Sequence, residues 1–461
     1  MIQIIDATLR EGRQSPPGID FTVEQSIEIA RSLHALGVDM IEVCHAIVSP
    51  DQKKIVQDIC ALNLCPVLTH ARVNLQDIDA AKETGCQWVG LFIGINEETR
   101  LSRVTTWPLP KILDHIQHSI EYAKSLGFKV RYTVEDASRT DYSQLLEVYN
   151  LAKEAGADCI CFSDTLGILE SHQVFQIVKD IKQQFPTTSL EVHLHNDRGL
   201  AMSNALAAAD AGADRISSSV NGLGERVGIT DTLGLLINLH YKGLCPAPSP
   251  ELIGDLSRRV AAYARSPVSP MQPVTGRHAF THTSALHQKA TTRSSTSYNW
   301  VAPESVGMVT QCSGPRLPAL PSLFLKPFVK CATELKYHRS GHGIRYVMLD
   351  ERILPDCRQY CIVREIPLID EPPPSHVDIH THHVDSLFLF LGYEPGLTGL
   401  KVEVQLEDVV QEIESPASVF IPAGVAHTYR ILKGQGIFIN HVLSGSYNQS
   451  LLDSLDLSGV I

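Results

Sequence analysis

Two histidines separated by one residue, His193 and His195, are the first residues in this chain that suggest chemistry. They follow the apolar run 189–192, which has the composition of a β-strand. Because alternate side chains of a strand point to the same face, both imidazoles project to one side at its C-terminal end. This spacing is typical of a metal-chelating pair, although two half-exposed surface histidines give the same pattern. A metal site also needs an acidic partner, and Glu11 at the end of the first predicted strand supplies one.

One carboxylate and two neutral imidazoles predict a divalent-metal site that leaves room for water or substrate oxygens. Asn221, which follows the eighth predicted strand, can add an amide oxygen. Mg²⁺, Mn²⁺ and Zn²⁺ all suit these ligand types. A 2-oxo acid would chelate such a cation through its carboxylate and ketone. Arg10 would then stabilise the alkoxide that forms when the ketone is attacked. The alternative for Arg10 and Glu11 is a surface ion pair.

A repeated unit of apolar strand, polar loop and amphipathic helix extends from residue 2 to about residue 241 and would position these side chains. Eight strands, each followed by a helix, predict an α/β fold of the (β/α)8 TIM-barrel type, and a doubly wound open sheet is the alternative. The barrel is favoured because the polar residues recur at the C-terminal ends of the strands, where such barrels have their active face. The predicted strands are 2–8, 39–44, 65–70, 88–94, 128–134, 158–163, 189–195 and 214–220.

The pattern changes after residue 245, where prolines interrupt the repeat. From about residue 330 it becomes one of short alternating strands with Gly and Pro turns, which predicts an all-β sandwich or barrel. The strands expected there are 344–349, 360–366, 386–391, 400–406, 418–421 and 436–443. The predicted domains are a catalytic barrel over 1–245, a small lid or linker subdomain over 246–312, a proline-rich linker over 313–335 and an all-β domain over 336–461.

Composition argues against several classes of partner. The formal net charge is −12 and no basic run is present, so neither nucleic acid nor an anionic membrane surface is expected as a partner. The chain starts directly in a predicted strand, and we find neither a signal-peptide pattern nor a membrane span. The 11 cysteines are scattered without a C-x-x-C motif, as is typical of reduced cysteines in a cytoplasmic protein.

Three motifs together resemble the DRE-TIM metallolyases: D-x-T-L-R-E-G-x-Q over 6–14, H-x-H-N-D over 193–197 and G-x-G-E-R-x-G over 222–228. The stretch 275–288, with Tyr298 and P-E-x-V-G over 303–307, resembles the lid of the Claisen-condensing branch, which includes homocitrate synthase and isopropylmalate synthase. The resemblance covers residues 1 to about 310. It implies an acyltransferase that condenses acetyl-CoA with a 2-oxo acid and hydrolyses the thioester. The alternatives are a lyase or aldolase of the same superfamily and a degenerate barrel that acts as a scaffold or sensor.

The resemblance implies a role for each residue that matches a motif. For His282 and His287, the alternative is that they are structural histidines without a catalytic role. The metal ligands are Glu11, His193, His195 and, as in the isopropylmalate branch, Asn221. The predicted catalytic residues are Arg10, Glu135, His287 and Tyr298, the last three for acid–base work near acetyl-CoA. The predicted substrate-binding residues are Gln14, His70, Arg131, Thr133 and Thr165.

Arg131 and His70 bear on which 2-oxo acid is expected. Homocitrate synthases carry a matching Arg and His that bind the distal carboxylate of 2-oxoglutarate, whereas the isopropylmalate branch lacks both. An alkyl substrate would leave Arg131 buried and unpaired, which is costly, so a second anionic group is favoured. We therefore expect 2-oxoglutarate, with oxaloacetate, phosphonopyruvate and alkyl or aryl 2-oxo acids as alternatives. If Arg131 instead pairs with a carboxylate of the barrel, this argument no longer applies.

The sequences H-T-H-H-V-D over 380–385 and P-A-G-V-A-H over 422–427 resemble the two cupin motifs. The resemblance covers roughly 340–445 and implies a C-terminal cupin barrel, with Asp385 or Ser386 where many cupins have Glu. His380, His382 and His427 would bind a second metal. A regulatory or dimer-forming role for this domain is our hypothesis, and we expect a homodimer.

Overall fold

The computed structural model describes residues 1–103, 107–308, 311–312, 325–330, 334–339, 343–354 and 357–452. The chain divides into two compact units, each described by itself. The first unit contains residues 1–260, 268–280 and 299–309. The second contains residues 261–267, 281–298 and 310–461. The domain limits expected from the sequence stay a prediction, and most of the predicted linker 313–335 lies outside the described residues.

The first unit contains a closed barrel of eight parallel strands in sequential order, which confirms the predicted TIM barrel. Each predicted strand is present, with its ends shifted by a few residues. The strands are β1 Gln3–Asp6, β2 Met40–Val43, β3 Val67–Arg72, β4 Trp88–Gly94, β5 Lys129–Glu135, β6 Cys159–Asp164, β7 Ser189–Leu194 and β8 Arg215–Ser218.

Eleven α-helices are present in the described part of the chain. Among them, none combines the length and the apolar composition that a membrane span requires. The helices are α1 Val23–Leu36, α2 Pro50–Ala61, α3 Leu75–Lys82, α4 Glu97–Arg103, α5 Leu109–Ser125, α6 Tyr142–Glu154, α7 Ser171–Gln184, α8 Ala201–Asp210, α9 Thr232–Tyr241, α10 Pro250–Tyr263 and α11 Ala285–Arg293.

Local signals fix several helix ends. Thr22 caps α1 and forms a capping box with Gln25, because each side chain accepts a hydrogen bond from the backbone of the other. Gly37, with φ of +93°, ends the same helix in the left-handed conformation that glycine adopts without strain. These caps fix where each helix begins and ends relative to the strands, and so where the strand ends point.

The barrel interior is built in layers. Ile5, Met40, Leu68, Trp88 and Cys159 form a buried apolar cluster inside it. The charged side chains Glu42 on β2, Arg131 on β5 and Glu191 on β7 are also buried.

The second unit contains an antiparallel sheet in the order β11-β12-β13-β18-β14-β17, and β15 pairs with both β16 and β18. We call residues 325–452, which carry these strands and the segment after them, the β-region. Its core includes Phe388, Phe390, Tyr429 and Phe438. Its strands are β11 Phe328–Val329, β12 Arg345–Leu349, β13 Tyr360–Ile369, β14 Ser386–Gly392, β15 Leu400–Leu406, β16 Val409–Glu414, β17 Ala417–Ile421 and β18 His427–Val442. The preceding short pair is β9 Thr281–His282 and β10 Gln311–Cys312.

The all-β prediction is confirmed, with two differences in detail. β16 was not predicted, because it pairs only with β15 and nearly all of its side chains are exposed, so it has little apolar alternation. β18 begins at His427 and not near residue 436, because the strand continues through Gly434 and Gly436. His427 is therefore a strand residue and not part of a loop.

Candidate active site

Glu11, His193 and His195 come together at the C-terminal ends of β1 and β7. Each offers one ligand atom, and the three atoms lie within 4.8 Å of one another. All three residues are buried. The alternative of surface histidines and a surface Arg10–Glu11 ion pair is therefore wrong, since Arg10 is also buried, where it pairs with Glu11.

The two imidazoles are held in the neutral state that metal ligation requires. His193 Nδ1 lies 2.9 Å from Ser217 Oγ on the neighbouring strand β8, which leaves Nε2, 3.9 Å from Glu11 Oε2, directed at the carboxylate. Burial, with the neighbouring His195 and Arg10, lowers the pKa of His193 to about 3. Burial also lowers the pKa of His195. His195 Nδ1 is buried and has no hydrogen-bond partner among the described residues.

The glycine-rich loop 222–228 packs against Glu11. The Glu225 backbone N–H donates to Glu11 Oε1 at 2.9 Å. A Cβ on Gly224 would lie 3.1 Å from Glu11 Cγ, and one on Gly228, whose φ is +85°, would lie 1.7 Å from the Gly222 carbonyl oxygen. Glycine therefore allows this loop to approach the carboxylate. Burial alone would raise the pKa of Glu11, but Arg10, the two histidines and the Glu225 N–H together outweigh it and the pKa falls to about 2.

A cavity of about 420 Å³ opens at this rim and contains most of the residues that the sequence singled out. They come from β3, β5 and β7 and from the segments that follow β1, β6 and β7. Of the predicted set, the lining contains Arg10, Glu11, Gln14, His70, Arg131, Thr133, Glu135, Thr165, His193 and His195. It also contains residues to which the sequence analysis assigned no role, namely His45, Phe92, Cys161, Ser163 and, from the motif over 222–228, Glu225 and Arg226.

Below the rim, two arginines and two carboxylates form a buried network. Glu42 accepts from Arg10 Nε at 2.5 Å and from Arg131 Nη1 at 2.7 Å. Arg131 Nη1 also donates to Glu191 Oε1 at 2.6 Å. Burial would raise the pKa of Glu42, but the two guanidinium groups outweigh it and hold the pKa well below its usual range. Glu42 thus fixes both arginines in place.

This network corrects one argument from the sequence. The expectation of a distal anion rested on Arg131 being unpaired without it, yet Arg131 is paired with Glu42 and Glu191. The alternative of a barrel carboxylate as partner is what the structure shows. Arg131 Nε is nevertheless buried without a hydrogen-bond partner among the described residues, so one donor of this guanidinium is still unsatisfied.

His70 presents two further unsatisfied nitrogens at the cavity. Neither ring nitrogen has a hydrogen-bond partner in the described part of the chain, and Nε2 lies 3.7 Å from Glu42 Oε1. The ring stacks on Phe92 at 4.6 Å between centroids. Burial, helped by Arg10, lowers the pKa of His70 far enough to keep the ring neutral. A neutral imidazole can donate one hydrogen bond to a ligand and accept another.

Gly90 on β4 allows His70 and Arg131 to share this side of the cavity. A Cβ at this position would lie 2.8 Å from His70 Cδ2 and 2.9 Å from Arg131 Nη2. Real side chains do not approach so closely, so any larger residue would displace one of the two. The absence of a side chain here determines the shape of the pocket.

Thr165 and Glu135 line the cavity from β6 and β5. The Thr165 hydroxyl accepts from the Asp136 backbone N–H at 2.8 Å, and its oxygen lies 3.2 Å from Ser163 Oγ. Because the Asp136 N–H can only donate, the Thr165 proton is available to Ser163 or to a ligand. Arg226 Nη2 donates to the Thr165 carbonyl at 2.6 Å and closes the loop over this edge.

Asn221 is not brought into the set. Its amide oxygen accepts from Ser257 Oγ at 2.6 Å, and its Nδ2 donates to the Ser257 carbonyl at 2.9 Å. It is also absent from the residues that line the cavity. The predicted ligand role therefore has no support in this arrangement, because α10 already satisfies both ends of the amide.

His287 and Tyr298 belong to the second unit. Their rings stack at 3.9 Å between centroids, and His282 packs at an angle to both. The pairing of His287 with Tyr298 agrees with a shared task. Their acid–base role stays a prediction.

The predicted second metal set also comes together within the β-region. His380, His382 and His427 are buried, and one ring nitrogen from each lies within 4.8 Å of the others. Asp385 is not part of the group, because its Oδ1 accepts from the Ala423 backbone N–H at 2.8 Å. The group thus contains three histidines and no carboxylate.

The fold and the rim together define a TIM barrel with a carboxylate and two histidines placed to bind a cation at its C-terminal face. A family model described as HMGL-like matches residues 1–259. The chain belongs to the HMGL-like family, so the predicted superfamily and the prediction of an enzyme are confirmed.

Curated relatives point to the condensing branch. Over 311 residues the chain is 36% identical to a homocitrate synthase from Sulfolobus acidocaldarius, a match that covers 66% of each chain. A homocitrate synthase from Saccharolobus solfataricus is also 36% identical over 311 residues, with 66% of this chain and 67% of that protein covered. The chain thus matches about two-thirds of the length of these relatives. The predicted branch is confirmed, whereas the cupin assignment stays a prediction.

Solved structures agree on the fold. The hydroxymethylglutaryl-CoA lyase from Pseudomonas aeruginosa superposes with a TM-score of 0.51 at 21% identity and covers 57% of this chain and 92% of that chain. The HMG-CoA lyase from Brucella melitensis has a TM-score of 0.51 at 19% identity, with 57% and 99% covered. At these identities the likeness concerns the barrel alone.

Proposed function

We propose that the chain condenses acetyl-CoA with a 2-oxo acid that carries a distal anionic group, with 2-oxoglutarate as the first candidate. The observation that carries the proposal is the rim cavity, which is lined by a candidate metal set and by His70 and Arg131. Both ring nitrogens of His70, and Arg131 Nε, have no hydrogen-bond partner in the part of the chain that the structure describes. The similarity to homocitrate synthases supports both the condensation and the choice of acid.

The Glu11, His193 and His195 set fits a divalent cation. Two neutral imidazoles and one ionised carboxylate are the donors that Mg²⁺, Mn²⁺ and Zn²⁺ accept. Within this buried set, His195 Nδ1 has no hydrogen-bond partner among the described residues. A bound cation would polarise the ketone of the 2-oxo acid. Arg10, which pairs with Glu11, would stabilise the negative oxygen that develops there.

The remaining cavity residues would bind and orient the acid. The Thr165 hydroxyl has a proton to donate to the 2-oxo carboxylate, and Gln14 and Thr133 line the same space. On the other side, His70 and Arg131 Nε would hold the distal anion. The proposal of a distal anion therefore depends on these His70 and Arg131 nitrogens and not on an unpaired Arg131 charge.

Glu135, at the end of β5, is the proposed base that removes a proton from the acetyl methyl group. The carbanion adds to the ketone carbon, and water then hydrolyses the thioester to release CoA with a free thiol. One water is consumed for each thiol released, so thiol release reports complete turnover.

The test measures free thiol released from acetyl-CoA with Mg²⁺ or Mn²⁺. The acids are 2-oxoglutarate, oxaloacetate, phosphonopyruvate, 2-oxoisovalerate and phenylpyruvate. Release with 2-oxoglutarate is the expected result. Release only with oxaloacetate or phosphonopyruvate keeps the distal-anion pocket and replaces the acid. Release with an alkyl or aryl acid keeps the reaction and removes the pocket assignment, and no release with any acid favours a lyase.

Glu11→Ala should abolish this turnover, since it removes the only carboxylate of the candidate metal set. Glu24→Ala, at an exposed position of α1, is the matched control and should leave the rate unchanged. An unchanged rate in metal-replete Glu11→Ala would remove Glu11 from the site.

We also propose that His380, His382 and His427 bind a second divalent cation within the β-region. The support is the spacing and burial of the three ring nitrogens. The homodimer and the cytoplasmic location stay predictions.

A further inference from the structure

The histidine cluster of the β-region has a fixed tautomeric state. His380 Nδ1 lies 2.8 Å from the Asp378 carbonyl and His427 Nδ1 lies 2.9 Å from the Val425 carbonyl, so both nitrogens must carry the proton that they donate. Ser450 Oγ donates to the Tyr447 carbonyl at 2.7 Å, and it therefore accepts from His382 Nδ1, also at 2.7 Å.

All three Nε2 atoms consequently carry a lone pair, as metal-ligating histidines do when a second group orients the other nitrogen. Nε2 of His382 and of His427 are buried and have no hydrogen-bond partner among the described residues. Two unsatisfied acceptors at more than nine-tenths burial are costly unless a ligand satisfies them. The cluster is therefore arranged to receive a cation.

A fourth oxygen lies against the same cluster. The Tyr447 hydroxyl is 2.8 Å from His380 Nε2 and 2.8 Å from His338 Nε2. Because His380 Nε2 has only a lone pair, Tyr447 donates to it and accepts from His338. Tyr447 is only 2% exposed, and its ring packs at 4.8 Å from that of His382. Its oxygen is thus in direct contact with one of the three candidate ligand nitrogens.

The same segment supplies both the fourth oxygen and an orienting group. Tyr447 and Ser450 belong to residues 443–452, which follow the last strand and which we call the C-terminal segment. Its backbone forms hydrogen bonds with the residues next to the histidines. The His383 N–H donates to the Ser450 carbonyl at 2.8 Å, and the Leu452 N–H donates to the Thr381 carbonyl at 2.9 Å. A cation here would therefore connect this segment to the strands.

We propose that Tyr447 is the fourth ligand of a closed metal site with His380, His382 and His427, and that this site is structural and holds the C-terminal segment in place. The inference rests on the proposed second cation and not on the barrel reaction. Four protein ligands leave no position for substrate, which is the usual distinction between structural and catalytic zinc sites. When the cation takes the Nε2 lone pair of His380, the Tyr447–His380 hydrogen bond breaks and the phenol proton passes to solvent. Tyr447 would then ligate as the phenolate, while His338 Nε2 still donates to its oxygen.

The test uses the full-length Glu11→Ala protein, so that the barrel cation does not contribute, and titrates it with Co²⁺. We expect one bound Co²⁺ with the intense visible absorption of a four-coordinate ion. Tyr447→Phe in this background should weaken binding roughly ten- to a hundred-fold and change the spectrum. Tyr393→Phe, at a half-exposed tyrosine of the same region, is the control and should alter neither.

Each other outcome overturns a defined part of the inference. Unchanged or tighter Co²⁺ binding by Tyr447→Phe would show that Tyr447 competes with the metal and does not ligate it. A weak six-coordinate spectrum would show an open site. No Co²⁺ bound to Glu11→Ala would remove the β-region site, whereas two bound Co²⁺ ions would show that the barrel assignment is wrong.

The structural role is tested without a variant by hydrogen exchange on the unsubstituted protein. Removal of the metal by a chelator should accelerate exchange of the His383 amide, which donates to the C-terminal segment, and of the Leu452 amide, which belongs to that segment. It should also lower Tm. His427→Gln should show the faster exchange already and no further change on chelation. Equal exchange rates of these amides in the metal-loaded protein and in the protein treated with chelator would contradict the structural role.

Discussion

The barrel rim and the β-region both present histidines two residues apart on an inward face, yet their surroundings differ. At the rim, His193 and His195 share a cavity of about 420 Å³ with three carboxylates and three arginines. In the β-region, His380 and His382 meet a third histidine and a tyrosine, all at least nine-tenths buried. The rim pair therefore lies in an open cavity with charged neighbours, whereas the β-region pair lies among buried neutral groups.

The difference shows that the histidine motif alone does not decide what a site does. The groups around it decide, because charged neighbours in an open cavity can act on a substrate, whereas neutral neighbours in a closed site can only hold an ion. The comparison predicts that the barrel depends on charge balance and the β-region on packing.

The largest expected effect is the loss of Glu42. Glu42→Gln leaves Arg10 and Arg131 with one fewer carboxylate in a fully buried position, and breaking such a network typically costs about 3–5 kcal/mol. We expect the free energy of unfolding of the barrel, measured in urea, to fall by this amount. Glu24→Gln on the surface of α1 serves as the control. A loss under about 1 kcal/mol would mean that charge balance does not stabilise the barrel interior.

A smaller effect is expected at Gly90. Gly90→Ala forces a methyl group to within 2.9 Å of His70 and Arg131, and overpacking of this kind costs about 1–3 kcal/mol. The KM for the 2-oxo acid should rise more than kcat falls, because the displaced groups are the ones proposed to hold its distal anion. Gly254→Ala in α10, where the nearest atom is the movable end of Arg258, is the matched control. An unchanged KM would separate this side of the cavity from substrate binding.

The smallest expected effect is on the pH dependence of stability, measured with chelator present. Burial lowers the pKa of His45 in the barrel to about 4 and that of His338 in the β-region to about 2. An unfolded histidine titrates near pH 6.5, so below that value the unfolded chain binds protons that the folded chain does not. Stability should therefore fall in both units as pH drops from 7 to 5.

The two regions should separate at lower pH. Only the barrel site contains an ionised carboxylate with a pKa of about 2, that of Glu11, and the stability it provides is lost as pH falls below the unfolded value of about 4.3. Hydrogen exchange resolved by region would measure this. Parallel loss in both regions down to pH 3 would contradict the comparison.

The sequence predicted the barrel because strand and helix patterns alternate eight times and polar residues recur at the C-terminal ends of the strands. It also predicted Glu11, His193 and His195 as neighbours, since i and i+2 spacing fixes direction on a strand. The same rule places Glu191 on the face of His193. The sequence analysis gave Glu191 no role, because a buried Glu needs a partner and the local sequence does not show one. Glu42 gave no comparable signal, since its partners Arg10 and Arg131 lie 32 and 89 residues away.

Other parts of the site depend on packing that a single sequence does not contain. Nothing in the residues around Asn221 indicates that Ser257 of α10 will hold its amide. Tyr447 follows the second cupin-like motif by 20 residues and forms part of no pattern, so its position beside His380 emerges only when the C-terminal segment folds back. Long-range contacts of this kind are set by topology and not by local spacing.

The pairing of Arg131 with Glu42 and Glu191 has an evolutionary consequence. Because the charge of this arginine is already neutralised inside the barrel, the acid that a descendant enzyme accepts can change without a simultaneous change of charge. Substitutions at His70, which has no hydrogen bond to the network among the described residues, can reshape the pocket while the ion network beneath stays intact. Substrate preference and barrel stability can therefore diverge through separate single mutations.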